Sequence, residues 1–120
     1  MASLNQVMII GNVGKEAEMR FTPSGKPVTS FSVACNSKFG ETESTEWFNI
    51  VTWNKLAETC NQYLTKGQQV FVEGRLQTRS WDDKDGVKHY KTEVIANKVL
   101  FLGQRKQTEE TAKDTGEDLF

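Results

Sequence analysis

Apolar and polar residues alternate through most of this chain, and the alternation is interrupted by small clusters rich in Gly, Pro, Ser or Asp. Residues 7–10 (Val-Met-Ile-Ile) run into Gly11 and Gly14, the profile of a strand that bends where glycine permits a bulge or sharp twist. Residues 18–21 alternate again and stop at Thr22, Pro23, Ser24 and Gly25, a turn. Over residues 28–36, Phe31, Val33 and Cys35 fall on one side and Ser30, Ser32 and Ala34 on the other, which predicts a half-buried strand. Residues 37–44 are polar apart from Phe39 and read as an exposed loop. Residues 45–53 form the next strand, with Phe48, Ile50 and Thr52 on one parity and Trp47, Asn49, Val51 and Trp53 on the other.

The period then changes. Leu56, Ala57, Cys60, Tyr63 and Leu64 recur at three- and four-residue steps, which predicts a helix capped by Asn54 and stopped at Gly67. Val70, Val72, Gly74 and Leu76 are expected to face inward on a strand running to Trp81. An Asp-rich turn ending at Gly86 leads to a closing strand over residues 87–102. The order strand, strand, strand, helix, strand, strand, with a small extra hairpin near Phe21, predicts an all-β fold. The expected form is a five-stranded Greek-key barrel of the OB type, with one short helix between strands 3 and 4. Residues 1–103 make one domain; apolar residues almost vanish beyond it, so residues 104–120 are expected to be a disordered acidic tail.

Net charge is -1, but it is divided unevenly. Residues 1–106 carry 14 Lys/Arg against 11 Asp/Glu, while residues 107–120 carry Lys113 against five acids. The body is mildly basic. No apolar run is long enough to span a membrane. No secretory pattern opens the chain, which points to the cytoplasm, and Cys35 and Cys60, without C-x-x-C spacing, read as free thiols in a reducing compartment.

Catalysis finds little support. His89 is the single histidine and has no metal-ligand company, so neither a metal nor a cofactor is expected. Gly11 to Gly14 lacks the glycine spacing of a dinucleotide fingerprint, and Thr65, Lys66 and Gly67 reverse the order of a phosphate loop. Binding is better supported. Trp81, Arg79, Gln77 and Arg75 share one face of a strand by alternation, and flat rings interleaved with guanidinium groups suit unpaired bases on a phosphate chain. Phe39, Trp47, Trp53 and Trp81 are the candidate stacking rings, and Arg20, Lys55, Lys66 and Arg79 the candidate phosphate contacts. Duplex DNA fits poorly because its bases are already stacked. The plainer readings are that Trp47 or Trp53 is core, that Phe39 anchors its loop, that Trp81 covers its own hairpin, that the cations are a solvated surface and that His89 is an exposed strand residue. An RNA-binding OB protein, a primosome-type adaptor and an OB-fold nuclease are the rival functions.

The segments GNVG, EMRFTPSGKPV, TEWFNIVTWNKLAE, YLTKGQQVFVEGRLQTRSW and YKTEVIANKV resemble, in order and spacing, the bacterial single-stranded DNA-binding protein (SSB) family over about residues 3–103. The short length and plain tail resemble the cyanobacterial members. The resemblance implies an OB fold and a homotetramer in the cytoplasm, associated with the nucleoid. It also implies sequence-independent coating of single-stranded DNA in replication, recombination and repair. It places stacking rings at Phe39, Trp47, Trp53 and Trp81, basic contacts at Arg20, Lys55, Lys66 and Arg79, and subunit contacts at Gln69 and Phe71. The family ends in several acids followed by Ile-Pro-Phe, a tip that docks replication and repair proteins. Here the tip is Glu117, Asp118, Leu119 and Phe120, with fewer acids and no proline.

Overall fold

The computed structural model describes residues 2–15 and 17–103. Six strands and one helix follow in order: β1 (Val7–Val13), β2 (Glu18–Phe21), β3 (Pro27–Phe39), β4 (Thr42–Trp53), α1 (Asn54–Tyr63), β5 (Gln69–Asp82) and β6 (Lys88–Leu102). The sheet order is β1-β5-β6-β4-β3-β2, and a further β1–β3 pairing closes it. Five strands therefore form the barrel, while β2 is the small extra hairpin hung on β3. One edge of β3 is shared: β2 occupies it at residues 27–30 and β1 at Val33 and Ala34. The β4–β6 contact is parallel and consists of Ile50↔Val94 and Val51↔Ile95. This is the OB barrel that the hydrophobic pattern predicts.

The inward parity of each strand fills the core. Ile9 and Val13, Phe31 and Val33, Ile50, Val70 and Val72, and Val94 and Ala96 meet there, with Cys60 and Leu64 from the helix side. One buried hydroxyl ties the helix to the sheet and a second braces the strands beneath it: Thr29 donates to Ala57 O at 2.7 Å and Thr52 to Thr29 O at 2.9 Å. Both are fully buried, so these bonds offset a desolvation cost that would otherwise be large. Gly11 and Gly74 mark close approaches of backbone. A Cβ on Gly11 would collide with Ala34 O, and one on Gly74 with Ile95 O. Beside Gly74 the register slips from Glu73↔Lys98 to Gly74↔Ala96, so Asn97 is the extra residue of a β-bulge.

Four local expectations change. Residues 37–44 are not a loop: β3 and β4 stay paired out to Phe39↔Thr42 as a ribbon, with both faces exposed. A ribbon wet on both sides has no reason to alternate in hydropathy, so its pattern carried no strand signal. Leu76 is 45% exposed rather than buried, because the β1–β5 ladder ends at Val7↔Gly74 and leaves Leu76 at the rim of the barrel. Asn54 does not cap α1 with its side chain. It is the first helical residue, at φ 56, with Trp53 at the cap position; asparagine tolerates that left-handed backbone better than most residues. Gly67 does not stop the helix, which ends at Tyr63 with the Leu64 amide on Cys60 O. Its φ of +87 serves the following turn, where its amide donates to Val13 O at 2.7 Å.

Candidate nucleic-acid interface

Register decides which side chains share the outer surface. In the β3–β4 hairpin the pairs Val28↔Trp53, Ser32↔Asn49 and Ala34↔Trp47 set both tryptophans against small neighbours. Small neighbours cannot cover an indole, and Trp47 is 59% and Trp53 39% exposed. Gly14 completes the bed under Trp47, since a Cβ there would collide with the ring. In the β5–β6 hairpin the facing pairs are Trp81↔His89, Arg79↔Lys91 and Gln77↔Glu93. Trp81 is 42% exposed. Its ring stacks with His89 at 5.6 Å and 20°, and the Arg79 guanidinium lies 5.1 Å from its centroid.

These hairpins and β2 enclose a groove of about 630 Å³. Trp53 and Asn49 line it from β4, Gln77 and Arg79 from β5, Glu93 from β6 and Arg20 from β2. Its charged lining is Lys15, Arg20, Arg79 and Lys91 against Glu18 and Glu93, a cationic excess. Arg79 is paired with Glu93 at 3.2 Å. Among the described residues, Arg20, Lys55 and Lys66 make no ion pair.

Arg20, Trp53 and Arg79 thus come together directly. Trp47 continues the β4 wall two positions beyond Asn49, and Trp81 continues the β5 wall two positions beyond Arg79. Lys55 follows Trp53 closely on the first turn of α1. Lys66 belongs to the turn held to Val13, next to the Gly14 on which Trp47 rests. Phe39 stands apart. It is 80% exposed at the ribbon tip, opposite Thr42, on the parity that Trp47 does not share. Gln69 and Phe71 lie elsewhere, on the outer surface of β5 facing Asn12 and Ile10 of β1. Glu117, Asp118, Leu119 and Phe120 lie outside the described residues, as does the rest of the 104–120 tail.

Sequence reasoning missed Lys91, Glu93 and the engagement of His89. His89 Nε2 lies 2.7 Å from Asp83 Oδ2, and Asp83 Oδ1 accepts the amides of Asp85 and Val87. The His89 contact, then the Val87 amide, holds the Asp83 carboxyl below its ordinary value. Centring the hairpin on its Asp-rich turn and counting outward would have paired Trp81 with His89 and Arg79 with Lys91. Among the described residues there is no cluster of three or more His, Cys, Asp or Glu suited to a metal ion, and no helix long and apolar enough to cross a membrane.

Residues 4–102 match the model of the single-strand binding protein family (SSB). The single-stranded DNA-binding protein 1 of Chlorobaculum tepidum is 48% identical over 119 residues, which cover 94% of this chain and 68% of that protein. The single-stranded DNA-binding protein of Neisseria meningitidis is 41% identical, over 88% of this chain and 63% of its own length. A solved structure described as the Plasmodium falciparum SSB complex with single-stranded DNA superposes with a TM-score of 0.79 at 32% identity, covering 86% of this chain and 98% of its own. With the family match spanning nearly the whole barrel and a like fold behind it, the chain belongs to the single-strand binding protein family.

Proposed function

We propose that this protein binds single-stranded DNA without regard to sequence, coating and protecting it during replication, recombination and repair, and that it is not an enzyme. One observation carries the reading: three tryptophans and Phe39 stay open to solvent on strands and a ribbon that border a cationic groove. Exposed rings cost burial energy that a stacked base returns, and every base offers a flat face. Trp47, Trp53, Trp81 and Phe39 are the stacking platforms, and Arg20, Lys55, Lys66 and Arg79 the phosphate contacts. Phe39 reaches the strand from the ribbon tip rather than from the groove.

The barrel, residues 1–103, is the binding domain and functions as a homotetramer. An outward apolar strip supports that assembly: Met8 and Ile10 on β1 and Leu100 on β6 are exposed around Phe71, with Gln69 at its end. Phe71→Glu is expected to lower the sedimentation mass of the full-length protein while leaving its circular dichroism unchanged. Residues 104–120 form the tail, and Glu117, Asp118, Leu119 and Phe120 the tip that docks replication and repair proteins in the nucleoid-associated cytoplasmic pool.

Titration of the protein with oligo(dT), read by tryptophan fluorescence, tests the function. Saturable quenching is expected, with log affinity falling linearly against log salt at about -0.7 per phosphate contact. Unchanged emission would reject the reading, and equal affinity for poly(U) and poly(dT) would make it a general single-strand binder.

A further inference from the structure

Glu93 is a carboxylate in a place where phosphates are meant to pass. It lines the groove beside Gln77 and Arg79. Its side chain is only 11% exposed, whereas the cations it holds are open, Arg79 at 52% and Lys91 at 42%. Glu93 meets the Nε–Nη2 edge of Arg79 at 3.2 and 3.4 Å, and Lys91 Nζ at 3.9 Å. The register explains the contact, because Arg79↔Lys91 and Gln77↔Glu93 are successive pairs on one face and Arg79 reaches Glu93 diagonally. An ionised carboxylate only accepts hydrogen bonds, so it has nothing to donate to a phosphate and repels one.

We infer that Glu93 is a built-in substitute for phosphate: it neutralises Arg79 and Lys91 in the empty groove, keeps the guanidinium beside Trp81, and must be displaced when a nucleic-acid backbone enters. This rests on the groove being the DNA path. The groove then holds two kinds of cation. Arg20 makes no ion pair among the described residues and is available at once, whereas Arg79 and Lys91 become available only through exchange of one acidic partner for another. Exchange weakens binding and flattens its dependence on salt, because a cation already neutralised contributes less to phosphate pairing. Glu93 is accordingly a positioning and affinity-limiting residue rather than a direct contact.

The test uses the full-length protein and oligo(dT), with fluorescence titrations at several salt concentrations. Glu93→Gln keeps length and a hydrogen-bond acceptor but removes the charge. It is expected to tighten binding about three- to thirtyfold at low salt and to steepen the log–log salt slope by about 0.7 for each cation released. Glu93→Thr, a strand-favouring side chain, should steepen the slope in the same way and guards against an effect particular to glutamine. Combining Glu93→Gln with Arg79→Gln should remove most of the gain, which a merely structural role would not do. Wild-type binding with no steepening in either variant, or weaker binding in both, overturns the role of Glu93 alone. Failure of the wild type to bind overturns the groove reading and this inference with it.

Discussion

Trp53 and Trp81 are almost equally exposed, yet a base would meet them differently. Trp53 has no ring or cation stacked on it among the described residues, whereas Trp81 already carries the His89 ring and the Arg79 guanidinium. A base can settle on Trp53 without rearrangement but competes with His89 at Trp81. Trp53→Ala is therefore expected to cost about 1–3 kcal/mol of oligo(dT) affinity, the value of one stacked base, and Trp81→Ala less. Equal losses in parallel titrations would show that His89 is no obstacle. The cysteines give a second residue-level expectation. Burial pushes the Cys60 thiol up to about 11, against a smaller opposing pull from Thr52, and burial also raises Cys35. Only the thiolate attacks a disulfide reagent. At pH 8 the folded protein should react slowly at half-buried Cys35 and not at Cys60, with the second thiol appearing on addition of denaturant. Rapid modification of both in the native state would contradict the packing of α1 on the barrel.

At the scale of elements, closure of the barrel hangs on little backbone. β1 meets β3 through Asn12↔Ala34 and Val13↔Val33, and Gly11 enters that seam with no room for a side chain. Gly11→Ala should cost about 1–3 kcal/mol, the usual penalty of overpacking, seen as a lower urea midpoint. Gly14→Ala makes a useful contrast, because the added methyl strikes the Trp47 ring and the Ser32 hydroxyl rather than backbone. It should disturb binding more than stability. The elements differ in how plainly the sequence announced them. Strands with one wet and one dry face were legible, and so was the helix, since a single change of period marked it. The distal ribbon was not, because Ser37, Lys38, Glu43 and Ser44 face water on both sides. Asn54 and Gly67 stand near the helix ends, as the sequence implies, but do other work there, because backbone angles and contacts distant in sequence decide those roles.

For the whole molecule, the barrel was readable because each strand had only one apolar side to bury. The groove was not, because it joins β2, the β3–β4 hairpin and the β5–β6 hairpin, whose approach depends on twist and on the bulge at Asn97. Arg20, Trp53 and Arg79 could be named one at a time from their chemistry, but that they line one groove follows only from the fold. Glu93 illustrates the gap most clearly. As a letter it is one more strand acid, and only the diagonal contact with Arg79 gives it significance.

The same topology sets the order of assembly in time. The β3–β4 and β5–β6 hairpins join neighbours across short turns, so each can form early. β1 instead pairs with β5 across an interval containing β3, β4 and α1, and closing so wide a loop is entropically costly. The β1–β5 ladder, to which Gly11↔Val70 belongs, is thus among the last to form, and a defect at Gly11 should hasten unfolding while hardly slowing the refolding that precedes closure.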